Sequence, residues 1–234
     1  MSKPTDGMDE SCCVKDAPPT IYYIPEFITA DEESKLISSV FAAPKPKWTQ
    51  LSNRRLQNWG GLPHPKGMVA EEIPKWLKIY VDKIGELGIF GDKLPNHVLV
   101  NEYEPGQGIM PHEDGSLFFP TVSTISLGSH TFLDFYRPIT EAQESTSLED
   151  RYFTSILLQP RSLVLICDDM YTKYLHGIAE RTTDLVTDKV ANLDKCDGVN
   201  KGQTLTRTTR ISLTIRHMYI ANWTFSKNKL VTMM

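Results

Sequence analysis

Four short runs in this chain have residue types and spacings that could do chemistry. In Pro111-His112-Glu113-Asp114-Gly115 an imidazole and a carboxylate stand two residues apart. On extended backbone such a pair points to one side. His112 and Asp114 would then be two-thirds of a 2-His-1-carboxylate iron(II) site. His176, ending a β-type segment and followed by Gly177, has the context for the remaining ligand. Each motif alone is weak. With six histidines and 29 acidic residues in 234, roughly 0.7 His-x-acid pairs arise by chance. A polar turn explains the first motif and an edge histidine the second. The run Arg210-Ile211-Ser212-Leu213-Thr214-Ile215-Arg216 alternates strictly. Arg210, Ser212, Thr214 and Arg216 share one face, as on a half-exposed basic strand or around a buried small dicarboxylate. Asn101 and Tyr103 would add an amide and a phenol from one face of another strand.

The elements that must position these residues change character at Pro95. Beyond it the pattern has period two. The β-type runs are His97–Tyr103, Thr121–Leu127, Thr131–Tyr136, Tyr152–Leu158, Ser162–Asp168 and Arg210–Tyr219, separated by Gly and Pro turns. Many short strands of this kind make a sandwich, barrel or jelly roll. Before Pro95, Ile21–Ile24 reads as β. Thr29 with Glu32 is a capping box opening a helix with Leu36, Ile37, Val40 and Phe41 on one face. Pro44 and Pro46 end it. Trp48–Pro65 reads as irregular, and a second helix as about Ala70–Leu87. Residues 138–151 read as an acidic loop. Residues 181–207 lack periodicity and read as a long loop that is either functional or disordered.

Composition is ordinary for a globular protein, with 40% hydrophobic and 23% charged residues. No apolar run is long enough to span a membrane, and residues 1–19 lack the apolar core of a secretory signal. Four cysteines without a C-x-x-C pair suggest free thiols in the cytoplasm or nucleus and no finger-type zinc site. A net charge of −4 argues, at first sight, against nucleic acid.

Taken in order, Asn-x-Tyr, His-x-Asp, His-Gly-Ile and Arg-x-Ser-x-Thr-x-Arg resemble the AlkB family of iron(II)- and 2-oxoglutarate-dependent dioxygenases. The likeness runs from about Ile21 to Tyr219 and includes Gln57-Asn58-Trp59-Gly60-Gly61-Leu62-Pro63-His64-Pro65. It implies a mainly β fold, a double-stranded β-helix (jelly roll) core with an α/β N-terminal extension carrying a substrate lid. With residues 1–19, rich in Pro, Asp, Ser and Lys, read as a flexible tail, the expected division is 1–19 tail, 20–95 extension and lid, 96–220 core with a loop insertion at about 181–207, and 221–234 C-terminal tail. The likeness implies Fe(II), 2-oxoglutarate and dioxygen, and a monomer is expected. His112, Asp114 and His176 would bind the metal. Asn101, Tyr103, Arg210, Ser212, Thr214 and Arg216 would hold the cosubstrate, with Arg210 on the far carboxylate and Arg216 nearer the iron. The implied reaction converts 2-oxoglutarate to succinate and carbon dioxide while hydroxylating a C–H bond. A hydroxylated N-methyl group then leaves as formaldehyde.

The substrate implied is nucleic acid, RNA or DNA. Residues 44–66 hold five basic residues and no acid, and 198–234 hold six and no acid. The first stretch falls in the lid, where Lys45, Lys47, Trp48, Arg54, Arg55 and Trp59 would suit phosphates and bases. Net charge was therefore too coarse an argument, because the basic residues are local. One departure favours a different substrate. Several repair members carry a further carboxylate two residues after the iron-binding aspartate, and this chain has Ser116. A protein side chain is the alternative substrate, and a non-catalytic nucleic-acid-binding homologue a further alternative.

Overall fold

The computed structural model describes residues 8–64, 68–139 and 147–219. The expectations for residues 1–7, 140–146 and 221–234 lie outside the described residues. Two antiparallel sheets face each other. The larger runs β1 (Ile21–Ile24), β11 (Leu163–Cys167), β8 (Thr121–Leu127), β15 (Arg210–Arg216), β6 (His97–Tyr103), β3 (Arg55–Trp59), β2 (Thr49–Gln50) from edge to edge. The smaller runs β10 (Tyr152–Leu158), β9 (Thr131–Tyr136), β12 (Leu175–Ile178), β7 (Ile109–His112). Between β6 and β15 the chain crosses repeatedly from one sheet to the other, which is the winding of a double-stranded β-helix. The mainly β jelly roll expected from the sequence is the fold.

Alternation on β15 separates two cores. Ile211, Leu213 and Ile215 pack outward beneath two helices, whereas Arg210, Ser212, Thr214 and Arg216 turn between the sheets. The helices are α1 (Ala30–Phe41) and α2 (Lys75–Gly85). Thr29 Oγ1 accepts from Glu32 N at 3.2 Å and Glu32 accepts from Thr29 N at 2.8 Å, closing the capping box. Leu36 and Val40 of α1, with Leu77, Tyr80, Val81 and Ile84 of α2, bury against the sheet. Truncating Leu77, which is 0% exposed, would cost about 2–5 kcal/mol. These helices therefore fix the back of the sheet that carries the inward polar row.

The N-terminal region is more ordered than its pattern suggests. The second helix starts at Lys75 because Pro74 caps it and disfavours helix at Ile73. Val69–Ala70 (β5) instead pairs with Gly61–Leu62 (β4). The stretch read as irregular holds β2, β3 and β4. β3 escapes the hydrophobic pattern because its side chains find polar and aromatic partners. Gln57 donates to Val40 O at 2.9 Å, and Trp59 sits edge-on to Trp76 at 5.6 Å.

Residues 9–19 are not a free tail. Val14 is 2% exposed, and its N–H donates to Ile21 O at 2.9 Å.

Nor are residues 181–207 a loose loop. β13 (Thr183–Leu185) pairs with β14 (Thr204–Thr206), and Val186, Val190, Ala191 and Cys196 bury in the same core as Phe132 and Leu157. Buried ion pairs hold the hairpin. Arg207 donates from Nε and Nη2 to Asp184 at 2.7 Å each, and Arg181 Nε donates to it at 2.6 Å. Burial raises the Asp184 carboxyl, but bonds from His130 and Arg207 outweigh that and hold it below its ordinary range. Polar anchoring of this kind leaves no hydrophobic period to read. Within residues 138–151, Leu148–Arg151 forms a single helical turn, α3. All four cysteines are free. Among the described residues no helix is long and apolar enough to cross a membrane.

Candidate active site

His112 ends β7, and the register sets it directly opposite His176 on β12. Gly177 makes that approach possible. A Cβ there would lie 2.9 Å from both Ile109 O and Pro111 N, so any side chain would push the strands apart. The imidazole centroids are 4.6 Å apart. Asp114, just past the end of β7, completes the group. Ligand-capable atoms of His112, Asp114 and His176 all lie within 4.8 Å of one another.

Surrounding bonds orient these groups. His112 Nδ1 lies 2.8 Å from Met110 O, and donating there leaves Nε2 as the free ligand atom. Burial pushes His176 down to about 4 against the pull of Asp114, so the ring is neutral, the form that ligates. Asp114 Oδ1 accepts from Arg216 Nη1 at 2.9 Å. The Arg216 guanidinium lies 3.8 Å from the Phe118 ring centroid, and Phe118 in turn contacts His97. Burial and then Arg216 push His97 down to about 3, so it adds no competing charge.

The inward row of β15 meets β6 in the register Arg210 opposite Tyr103 and Ser212 opposite Asn101. Asn101, Tyr103, Arg210, Ser212, Thr214 and Arg216 thus line one cavity of about 100 Å³ with the His-Asp-His group. Arg210 is 3% exposed. Its Nη2 donates to Ser126 Oγ at 2.9 Å, its Nε has no partner, and it makes no ion pair among the described residues. Burial, opposed by the nearby Tyr103 phenol, pushes it down to about 10. A buried guanidinium without an anion is a costly arrangement that a carboxylate ligand relieves. The donor set of two imidazoles and one carboxylate suits iron(II). Both groups that the resemblance implies therefore fit the residues present.

The expected lid residues divide. Lys47 lies over Trp59 at 4.4 Å and pairs with Glu71 at 3.6 Å. Arg55 pairs with Glu102 and stacks on Trp48 at 4.2 Å. These four are half-buried and each has a partner within the chain. Lys45 is exposed. Arg54 lines the cavity instead. Ser126 and Phe118 went unnoticed in the sequence. Alternation on β8 places Ser126 with Thr124 on the face opposite Ile125 and Leu127, a signal that was there to use. Phe118 lies in a turn and has no such signal.

A jelly roll with this triad and an unpaired buried arginine defines a class, the iron(II)- and 2-oxoglutarate-dependent dioxygenases. The family model for the 2OG-Fe(II) oxygenase superfamily matches residues 44–216. The chain belongs to that superfamily, within its AlkB family. It is 57% identical over 211 residues, covering 89% of this chain and 90% of the relative, to the probable RNA/DNA demethylase ALKBH6 of Danio rerio. Among solved structures, OsALKBH1 superposes with a TM-score of 0.56 at 15% identity, covering 86% of this chain and 99% of that one. A Pseudomonas putida prolyl-4-hydroxylase superposes with a TM-score of 0.50 at 13% identity, covering 85% and 92%. The two structural likenesses speak to the fold. The enzyme is an Fe(II)- and 2-oxoglutarate-dependent dioxygenase.

Proposed function

We propose that this dioxygenase removes N-methyl groups from nucleic acid, with His112, Asp114 and His176 holding iron(II). Arg210 holds the far carboxylate of 2-oxoglutarate, and Asn101, Tyr103, Ser212 and Thr214 line its path. The observation that carries the site is the convergence of the triad with an unpaired buried Arg210 in one cavity. The nucleic-acid part is supported by the relative described as a probable RNA/DNA demethylase and by the acid-free basic stretch at residues 44–66, where Lys45 is exposed.

When bound, iron(II), 2-oxoglutarate and dioxygen supply the oxidation that hydroxylates a C–H bond while releasing succinate and carbon dioxide. The chain's own groups prepare that reaction. Met110 O fixes the His112 tautomer. Arg216 holds one oxygen of Asp114 and leaves the other for the metal. Leu133, Ile166 and Ile178 wall the cavity with apolar surface and exclude water. A hydroxylated N-methyl group needs no further protein group to expel formaldehyde.

The test is succinate and formaldehyde release from a panel of N-methylated RNA and DNA oligonucleotides. Both products should require added iron(II) and 2-oxoglutarate and vanish in His112→Ala. Full turnover in that variant defeats the site assignment. Ser116 favours a second reading, a protein side chain as substrate, and methylated peptides in the same panel decide between the two. Formaldehyde from peptides and none from oligonucleotides would establish the second.

A further inference from the structure

We infer that Arg54 is a cosubstrate-binding residue, a second cation that reads the far carboxylate of 2-oxoglutarate from the N-terminal extension. The inference rests on the cavity assignment above and adds a residue to it. Arg54 precedes β3, whose register places Leu56 opposite Asn101 of β6. From there Arg54 Nε donates to Asn101 Oδ1 at 3.1 Å. With its carbonyl oxygen taken, Asn101 keeps its amide nitrogen for the cavity. Arg54 is also close enough to Tyr103 to pull against the rise that burial gives that phenol. It makes no ion pair among the described residues, unlike its neighbour Arg55.

Charge along the cavity explains what such a residue would do. Among the lining residues Asp114 is the single acid, and Arg216 already bonds it. Arg210 begins β15 and Arg216 ends it, about 20 Å away along the strand. The Arg210 end therefore gathers two cations, Arg54 and Arg210, with no acid on the wall. A carboxylate has two oxygens and accepts from more than one guanidinium. Residue 53 reinforces the placement. Asn53 Nδ2 donates to Glu180, just beyond β12, so Asn53 and Arg54 tie the cavity's far end to both sheets.

Calorimetric titration of the Mn(II)-loaded protein tests the inference with two probes, 2-oxoglutarate and 2-oxobutyrate, the same keto acid without the far carboxylate. Arg54→Gln should weaken 2-oxoglutarate about tenfold, the scale of one partly screened charge-assisted bond. It should leave 2-oxobutyrate within about twofold, and Arg54→Lys should recover part of the loss. Equal weakening of both acids would mean a merely structural role and overturn the inference. Unchanged 2-oxoglutarate affinity with weaker oligonucleotide binding would also overturn it, returning Arg54 to the nucleic-acid surface. Failure of the parent protein to bind 2-oxoglutarate at all would refute the cavity assignment itself, a separate result.

Discussion

Replacing Arg210 by methionine should stabilise the unliganded protein and abolish tight cosubstrate binding. The signs are opposite because the guanidinium is buried without an anion. Burial lowers its pKa from the ordinary 12.5 to about 10, which corresponds to about 3 kcal/mol of penalty on the charged form. Methionine keeps similar length and removes the charge. The bond from Nη2 to Ser126 is lost, at about 1 kcal/mol. A net gain of about 1–2 kcal/mol remains, a rise of roughly 2–8 °C in Tm for a chain of this size. Below about pH 10 the guanidinium is charged both folded and unfolded, so this gain should not vary between about pH 6 and 9. Loss of two charge-assisted bonds should meanwhile weaken 2-oxoglutarate at least about a hundredfold. Thermal unfolding of metal-free protein and calorimetry of Mn(II)-loaded protein read the two effects. A lower Tm, or an affinity within threefold of the parent, refutes the reasoning.

Further outcomes follow from other parts of the site. His97 has its pKa lowered to about 3 by burial, against about 6.5 when unfolded. The unfolded chain therefore takes up the proton first, and stability should fall as pH drops below about 6.5, by up to about 1.4 kcal/mol per pH unit. Urea unfolding at pH 7 and 5 should show a loss of about 2 kcal/mol that His97→Gln largely removes; equal losses in both proteins would contradict it. Gly177→Ala should weaken Mn(II) binding more than about tenfold while the far-ultraviolet spectrum is kept, because β7 must shift from β12. Metal affinity equal to the parent's would show that the close approach does not matter. Arg207→Met should cost about 3 kcal/mol in thermal unfolding by stripping buried Asp184 of its two-bond partner. A cost below about 0.5 kcal/mol would mean that Arg181 and His130 suffice.

The jelly roll was legible where one face of a strand is apolar. The runs at His97–Tyr103, Thr121–Leu127, Thr131–Tyr136 and Tyr152–Leu158 are strands with those bounds. The cavity row on β15 and the pairs on β6 were legible for the same reason, since period two assigns faces before any partner is known. Elements held by specific polar bonds were not. β3 depends on Gln57 and paired Arg55, and the β13–β14 hairpin on Asp184 between two arginines. β7 defeats the reading because Pro111 and His112 interrupt its pattern, although it carries one of the three metal ligands. Composition does not resolve the basic residues of the lid from one another. Counting cations in residues 44–66 cannot tell Arg54, facing the cavity, from Arg55 one residue on, stacked on Trp48 and paired with Glu102.

The central claim is that His112, Asp114 and His176 bind iron(II) beside 2-oxoglutarate in one cavity. Anaerobic addition of iron(II) and 2-oxoglutarate, followed by visible absorption, tests it without reference to any prime substrate. A chelated 2-oxoglutarate on iron should give a metal-to-ligand charge-transfer band in the parent protein that is absent from Asp114→Ala. No band in the parent, or an undiminished band in Asp114→Ala, would contradict the account.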